Sequence, residues 1–173
     1  MASYYYLISS LPMLRTQGEP PMDYAAFLAM CRSAVSAGVY RTLEELTVDS
    51  DKGPLLSEWA GFYRALSREL TYQRNVKLGR PCAVPSDRDA GIVQTVTAAV
   101  NAENPLEGER RLLDLEFRRL DGMIGLHNFD DHALYGYAMK LQLLERQRTF
   151  RYESGKRAFD GLMQNIRQQV SSL

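Results

Sequence analysis

Residues 130–150, DDHALYGYAMKLQLLERQRTF, contain the clearest helical pattern in the chain. Large apolar side chains recur there at steps of three and four residues, which places them in one stripe along a helix. The stripe consists of Leu134, Tyr137, Leu141 and Leu144. Asp130 or Asp131 can cap the start, because a carboxylate accepts hydrogen bonds from the unpaired amides of the first turn. The pattern predicts a helix with one buried face and indicates no chemistry by itself.

Similar apolar spacing predicts several helices before this stretch. The first predicted helices are residues 23–37, with Gly38 as a stop, a short helix from Thr42, and residues 55–78. A further helix is capped by Ser86 or Asp87 and extends to Val100. The next helix, over 104–125, begins with Asn104 as the cap and Pro105, and Glu107 can reach back to the cap amide. Residues 4–14 favour a strand and a helix equally, and a last helix is expected over 153–166. The sequence therefore predicts an all-α, multi-helix bundle of about five to seven helices, in a single domain over residues 1–173.

The overall composition narrows the class of protein. Lys plus Arg and Asp plus Glu each number 21, so the net charge is zero. Nucleic-acid binding usually needs a basic surplus, so no nucleic-acid partner is expected. No apolar run reaches the roughly 18 to 20 residues that span a bilayer, and the N-terminus lacks the pattern of a signal peptide. Cys31 and Cys82 stand in no metal or redox spacing. We expect a cytoplasmic protein with reduced thiols and no direct membrane insertion.

Motifs that would indicate an active site are missing. There is no GxxxxGK[ST] loop, no GxGxxG turn between a strand and a helix, and no serine in a nucleophile elbow. His127 and His132, the only histidines, have no third ligand at a recognisable spacing. The sequence therefore predicts neither a catalytic residue, nor a bound metal, nor a cofactor, and it predicts that the protein is not an enzyme.

Two groups of side chains are candidates for binding a protein partner, because aromatic residues and arginine are enriched at interfaces. The aromatic group is Tyr4, Tyr5 and Tyr6, and the cationic group is Arg64, Arg68 and Arg74 on the predicted 55–78 helix. Each group also has a simpler interpretation. The tyrosines can fill the core, and the arginines can form a solvated face.

Three stretches together resemble a known group of proteins. They are YYYLISSLPML at 4–14, EWAGFYRALSREL at 58–70, and the long passage 104–150 followed by GKRAFDGLM at 155–163. They look like an uncharacterised bacterial family that is encoded among the subunits of bacterial V-type (A/V-type) ATPases. That family is similar in turn to the C subunit of these enzymes, which is called d in eukaryotes. The long passage covers nearly all of the C-terminal half and is the most specific of the three.

The resemblance implies an all-helical, non-catalytic subunit of a V-type ATPase or ATP synthase. Such a subunit would couple the central rotor shaft to the membrane ring during proton or sodium transport. Its partners would be other ATPase subunits, and it would be peripheral to the inner membrane through them. The main alternative is a stand-alone helical protein-binding or regulatory module unrelated to the ATPase. A more remote one is a small helical enzyme that uses Arg64 and Arg68 on an anionic substrate.

Overall fold

All the regular secondary structure in the described part of the chain is helical. The computed structural model describes residues 4–148 and Met163. The helices are α1 (Tyr5–Ser10), α2 (Tyr24–Cys31), α3 (Ala37–Glu44), α4 (Pro54–Lys77), α5 (Ala90–Val100), α6 (Pro105–Ile124) and α7 (Asp131–Arg148). This confirms the all-α prediction for these residues. The helix predicted over 153–166 lies outside them, except that Met163 is helical.

The long helices α4, α6 and α7 form the body of the fold. The Arg119 guanidinium lies over the Phe62 ring, and Arg74 approaches Glu109, so α6 runs antiparallel to α4. Lys140 pairs with Asp121 and Arg146 with Glu116, so α7 also runs antiparallel to α6. Helices α4 and α7 are consequently parallel to each other.

The stripe of the 130–150 stretch packs as predicted. Leu134, Leu141 and Leu144 are fully buried or nearly so. Tyr137 is half-buried, and its ring lies 5.4 Å from the Phe27 ring of α2. The Tyr137 hydroxyl donates a hydrogen bond of 3.0 Å to the Pro12 carbonyl, which holds the segment after α1 against α7. The opening stretch is therefore a central packing element of the fold.

Trp59 anchors the start of α4 in the core. Its side chain is completely buried, and its indole Nε1 donates a hydrogen bond of 2.8 Å to the Val48 carbonyl. A buried indole N–H needs such a partner, because leaving it unpaired costs free energy. The bond therefore ties the loop before α4 to the helix body.

Glycine lets α6 and α7 approach their neighbours closely. A Cβ on Gly108 of α6 would lie 2.6 Å from the Ala99 carbonyl oxygen of α5. A Cβ on Gly136 of α7 would lie 2.4 Å from side-chain atoms of Ile124. Gly136, the one glycine inside the opening stretch, therefore marks a close contact of α7 with Ile124 rather than a break.

Two predicted helix boundaries near the N-terminal half were wrong. The helix expected over 23–37 ends at Cys31, and the next helix begins at Ala37 rather than at Thr42. Gly38 lies in the first turn of α3 and is not a stop. Ser36 is the cap, since its side chain accepts a hydrogen bond of 3.4 Å from the Val39 amide. The Ser36 cap therefore starts a helix at the place where Gly38 was expected to end one.

The predicted caps of α5 and α6 also needed correction. Asp89, rather than Ser86 or Asp87, caps α5, and its carboxylate accepts hydrogen bonds from the Gly91 and Ile92 amides. Asn104 caps α6 as predicted, through a 2.9 Å bond from the Leu106 amide. Glu107 forms an ion pair with Arg111 at 2.5 Å. Glu107 was expected to bond back to the amide of Asn104. Its carboxylate instead pairs with Arg111, one turn further along the helix.

Candidate partner-binding surfaces

The N-terminal tyrosines lie against the loop between α6 and α7. The choice between strand and helix for residues 4–14 is settled as helix for α1. The Tyr4 amide donates a hydrogen bond of 2.7 Å to the Phe129 carbonyl, so the start of α1 is fixed to that loop. The Tyr5 ring lies 4.7 Å from the Phe129 ring and 5.5 Å from the Tyr6 ring.

The three tyrosines differ sharply in exposure. Tyr4 is 7% exposed and belongs to the core, whereas Tyr5 is 53% and Tyr6 is 88% exposed. Burial raises the pKa of the Tyr4 hydroxyl, and a hydrogen bond to the Asp131 carboxylate raises it further. The candidate surface therefore excludes Tyr4, which corrects its inclusion among the partner-binding residues.

One aromatic side chain from the α6–α7 loop extends this surface. Phe129 is 38% exposed, and its ring is the one that lies against Tyr5. Together with Tyr5 and Tyr6 it forms what we call the aromatic surface. Single exposed apolar side chains are ordinary, but a cluster of large ones that includes aromatic rings is typical of a binding surface. Sequence reasoning missed Phe129, because its proximity to α1 is a tertiary contact.

A histidine pair lies beside the aromatic surface. The rings of His127 and His132 stack with their centroids 4.2 Å apart. His127 Nδ1 is 2.5 Å from one Asp130 oxygen, and the other oxygen caps α7 by accepting a 3.1 Å bond from the Ala133 amide. Desolvation opposes ionisation of Asp130, but these two hydrogen bonds outweigh it and lower the pKa of the carboxyl. Among residues 4–148 and Met163, no group of three or more histidine, cysteine or acidic side chains could hold a metal ion.

The three predicted arginines do not share one face of α4. Arg64 and Arg68 are both exposed and stand one turn apart. Arg74 is six residues farther along, and its direction differs from that of Arg68 by about 120° around the helix axis. It points toward α6, where its Nη2 is 3.9 Å from Glu109 Oε1. The expected single cationic face is therefore divided into an exposed pair and one residue at an interhelical cleft.

That cleft has a volume of about 330 Å³ and lies where the end of α4 meets α5 and α6. Its lining includes Leu70, Arg74, Leu78, Val100, Glu109 and Leu112. Lys77 closes one side of the cleft, because its Nζ donates a hydrogen bond of 2.5 Å to the Val100 carbonyl. Val100 is the last residue of α5, and the C-terminus of a helix attracts a cation. Leu78 is 63% exposed at the rim. The cleft combines apolar walls with a base and an acid.

Two buried glutamates form ion pairs inside the bundle. Glu69 of α4 is 3% exposed and accepts two hydrogen bonds from Arg88, of 2.6 and 2.9 Å. Glu116 of α6 is 1% exposed and accepts one from Arg146 at 2.7 Å. The Glu69 pair joins α4 to the loop before α5, and the Glu116 pair joins α6 to α7. Sequence reasoning missed them, although each glutamate interrupts an apolar stripe.

Comparisons with known proteins identify no relative. No protein-family model, no curated protein and no solved structure matches the chain. Within the described residues, none of the helices is both long enough and apolar enough to cross a membrane. The described residues thus define a class, a helical bundle with a candidate surface for another protein.

Proposed function

We propose that the chain is a non-catalytic subunit of a bacterial V-type ATPase or ATP synthase, similar to the C (d) subunit. In this role it couples the central rotor shaft to the membrane ring and is peripheral to the inner membrane through its partners. The aromatic surface carries the proposal that the protein works by binding another protein. The resemblance of residues 58–70 and 104–150 supplies the identity of those partners.

The construction of the aromatic surface suits a coupling role. A subunit that transmits torque needs contact residues held by a rigid body. The surface meets that need, because the Tyr4 amide is bonded to the Phe129 carbonyl and the Tyr4 ring is buried in the core. Tyr5 and Tyr6 follow directly in α1. Aromatic side chains that are already positioned lose little conformational entropy on binding.

Affinity purification from native membranes tests the proposal. The full chain carries an affinity tag, and the recovered proteins are identified by mass spectrometry. We expect rotor-shaft and ring subunits of the V-type ATPase. Recovery of no ATPase subunit would reject the assignment, and recovery of unrelated soluble proteins would support the stand-alone binding module.

A double substitution, Tyr5→Ala with Tyr6→Ala, tests the surface itself. Interface aromatic residues often contribute about 2 kcal/mol or more each, so recovery of the ATPase subunits should fall at least about tenfold. Val84→Ala is the matched control, because Val84 is 60% exposed on the loop before α5 and is outside the surface. Wild-type recovery with the double variant would exclude this surface as the contact while leaving the ATPase assignment intact.

The exposed arginine pair offers a second surface for the same test. Arg64→Ala with Arg68→Ala removes two cations without disturbing a buried group, since both side chains are exposed. If this pair meets an acidic partner, recovery should fall and should become less sensitive to salt. Unchanged recovery at low salt would assign these arginines to solvent.

A further inference from the structure

The cleft at the end of α4 owes its shape to small residues on α5 and α6. Leu70, Arg74 and Leu78 follow one another at steps of four residues, so the end of α4 presents them as one ridge. The lining from α5 and α6 includes Ala99 and Gly108. These two residues are in close contact, since a Cβ on Gly108 would lie 2.6 Å from the Ala99 carbonyl oxygen. Small side chains beside a ridge of long ones leave a volume of about 330 Å³.

Cations outnumber acids among the described residues that line the cleft. Arg74 and Lys77 are both exposed, and Glu109 is the one acid of this lining. The Arg74 guanidinium is 3.9 Å from the Glu109 carboxylate, which is beyond hydrogen-bonding distance. Lys77 directs one of its three donors to the Val100 carbonyl. The mouth of the cleft therefore carries an excess positive charge and hydrogen-bond donors that the described residues leave unused.

We propose that the cleft binds a small amphipathic carboxylate, a molecule with an aliphatic chain and one carboxylate at its end. The chain lies against the apolar walls that Leu70, Val100 and Leu112 form. The carboxylate accepts hydrogen bonds from Arg74, because two parallel N–H groups of a guanidinium match its two oxygens. Lys77 adds a second positive charge at the mouth. The volume of about 330 Å³ is within the range of small-ligand pockets, which is about 300–1,000 Å³.

This site is separate from the aromatic surface. Glu109 is near the start of α6, whereas Phe129 follows the end of that helix. The helix from Glu109 to its last residue, Ile124, spans about 22 Å. The carboxylate site therefore does not depend on the proposed role in an ATPase, and the two proposals can fail independently.

Titration of the isotope-labelled full chain with octanoate tests the site. Octanoate has both the aliphatic chain and the carboxylate, whereas octanol lacks the charge and acetate lacks the chain. The amide NMR shifts give the dissociation constant and the location of binding. We expect saturable shifts at Ala102 and Gly108, which line the cleft, and not at Tyr6. Octanol and acetate should each bind at least about tenfold more weakly, because each makes only one of the two kinds of contact.

Two substitutions should change octanoate binding in opposite directions. Arg74→Gln should weaken it at least about tenfold, because a hydrogen bond to a charged group is lost. Glu109→Gln should tighten it about threefold or more, because it removes an acid that repels the ligand and attracts Arg74. Damage to the fold would not produce tighter binding. Arg118→Gln is the control, since Arg118 is exposed on α6 and is not in the lining.

Four outcomes would overturn the proposal. The first is the absence of saturable octanoate shifts. The second is octanol binding as tight as that of octanoate, which would leave the cations without a role. The third is unchanged or weaker binding by Glu109→Gln. The fourth is a larger shift at Tyr6 than at Ala102, which would place the ligand on the aromatic surface.

Discussion

The two buried carboxylate–arginine pairs are made of the same residue types and differ in surroundings. Glu69 meets Arg88 on the loop before α5, and its carboxylate also accepts a 2.8 Å bond from Gln73 Nε2. Glu116 meets Arg146 between α4, α6 and α7, where Arg146 Nη2 donates a hydrogen bond of 2.7 Å to it. The pKa of Glu69 is lowered, chiefly by the hydrogen bonds from Arg88. The pKa of Glu116 is raised, because desolvation outweighs the attraction of Arg146.

The difference shows that an ion pair in a core does not by itself favour the charged form. Arg88 donates from Nε and Nη2 to the two Glu69 oxygens in a bidentate arrangement, and Gln73 donates a third bond, so both oxygens accept hydrogen bonds. Glu116 is deeper in the bundle, and Glu109 on the same helix adds a repulsion. A buried pair repays its desolvation cost only when the remaining lone pairs are also satisfied. Glu116 is therefore the more vulnerable of the two.

Arg146→Ala should produce the largest loss of stability. It leaves Glu116 buried with its guanidinium partner removed, and breaking a buried pair in this way costs about 3–5 kcal/mol. The measurement is the free energy of unfolding in urea. Arg148→Ala is the control, because Arg148 is exposed in the same last turn of α7. Equal stabilities for the two variants would show that Arg146 does not compensate Glu116.

Arg88→Ala should destabilise the protein less than half as much as Arg146→Ala. Gln73 still donates to Glu69, and the Arg88 side chain is 30% exposed, so water can replace part of what is lost. The Arg88 guanidinium also lies over the Tyr72 ring, and that contact disappears as well. Urea unfolding of Arg80→Ala, an exposed neighbour, gives the baseline. A loss equal to that of Arg146→Ala would remove the distinction between the two pairs.

The sequence predicts the long helices well because their signal is local. The apolar stripes place both ends of α4 and α6, and the start of α7, within one or two residues of where the structure has them. The same stripes carry an overlooked signal for the buried pairs. Glu116 lies three residues after Leu113 and four before Leu120, and both leucines are buried. An acid at such a position is buried with a partner, but the partner, Arg146, is set by the packing of α7 on α6.

The failures arise where local preferences compete or where tertiary contacts decide. Ser36 and Gly38 give opposite signals two residues apart, and the serine cap prevails. Asp87 has a positive φ of 54°, which is incompatible with a helix start there, so the cap moves to Asp89. For the candidate surface, the tyrosines could be named from the sequence. Which of them is buried depends on the contact of α1 with the α6–α7 loop, which no pattern within either segment encodes.

The contributions of Glu69 and Glu116 to stability should change with pH in opposite directions. We expect this effect to be smaller than the losses caused by Arg146→Ala and Arg88→Ala. In the unfolded chain both titrate near their ordinary pKa of about 4.5. Since the folded pKa of Glu69 is lowered, its contribution is present above 4.5 and is lost as pH falls through that lower folded value.

Since the folded pKa of Glu116 is raised, the folded state holds its proton more tightly. Glu116 therefore favours folding most at acidic pH, and its contribution declines as pH rises from about 4.5 through the raised value. Glu69→Gln should consequently destabilise more at neutral than at acidic pH, and Glu116→Gln should destabilise less at neutral than at acidic pH. Urea unfolding of both variants and the wild type across that range measures the two slopes. If the stability losses of the two variants changed with pH in the same direction, the attraction of Arg146 would overcome desolvation at Glu116. The two pairs would then differ only in how deeply they are buried.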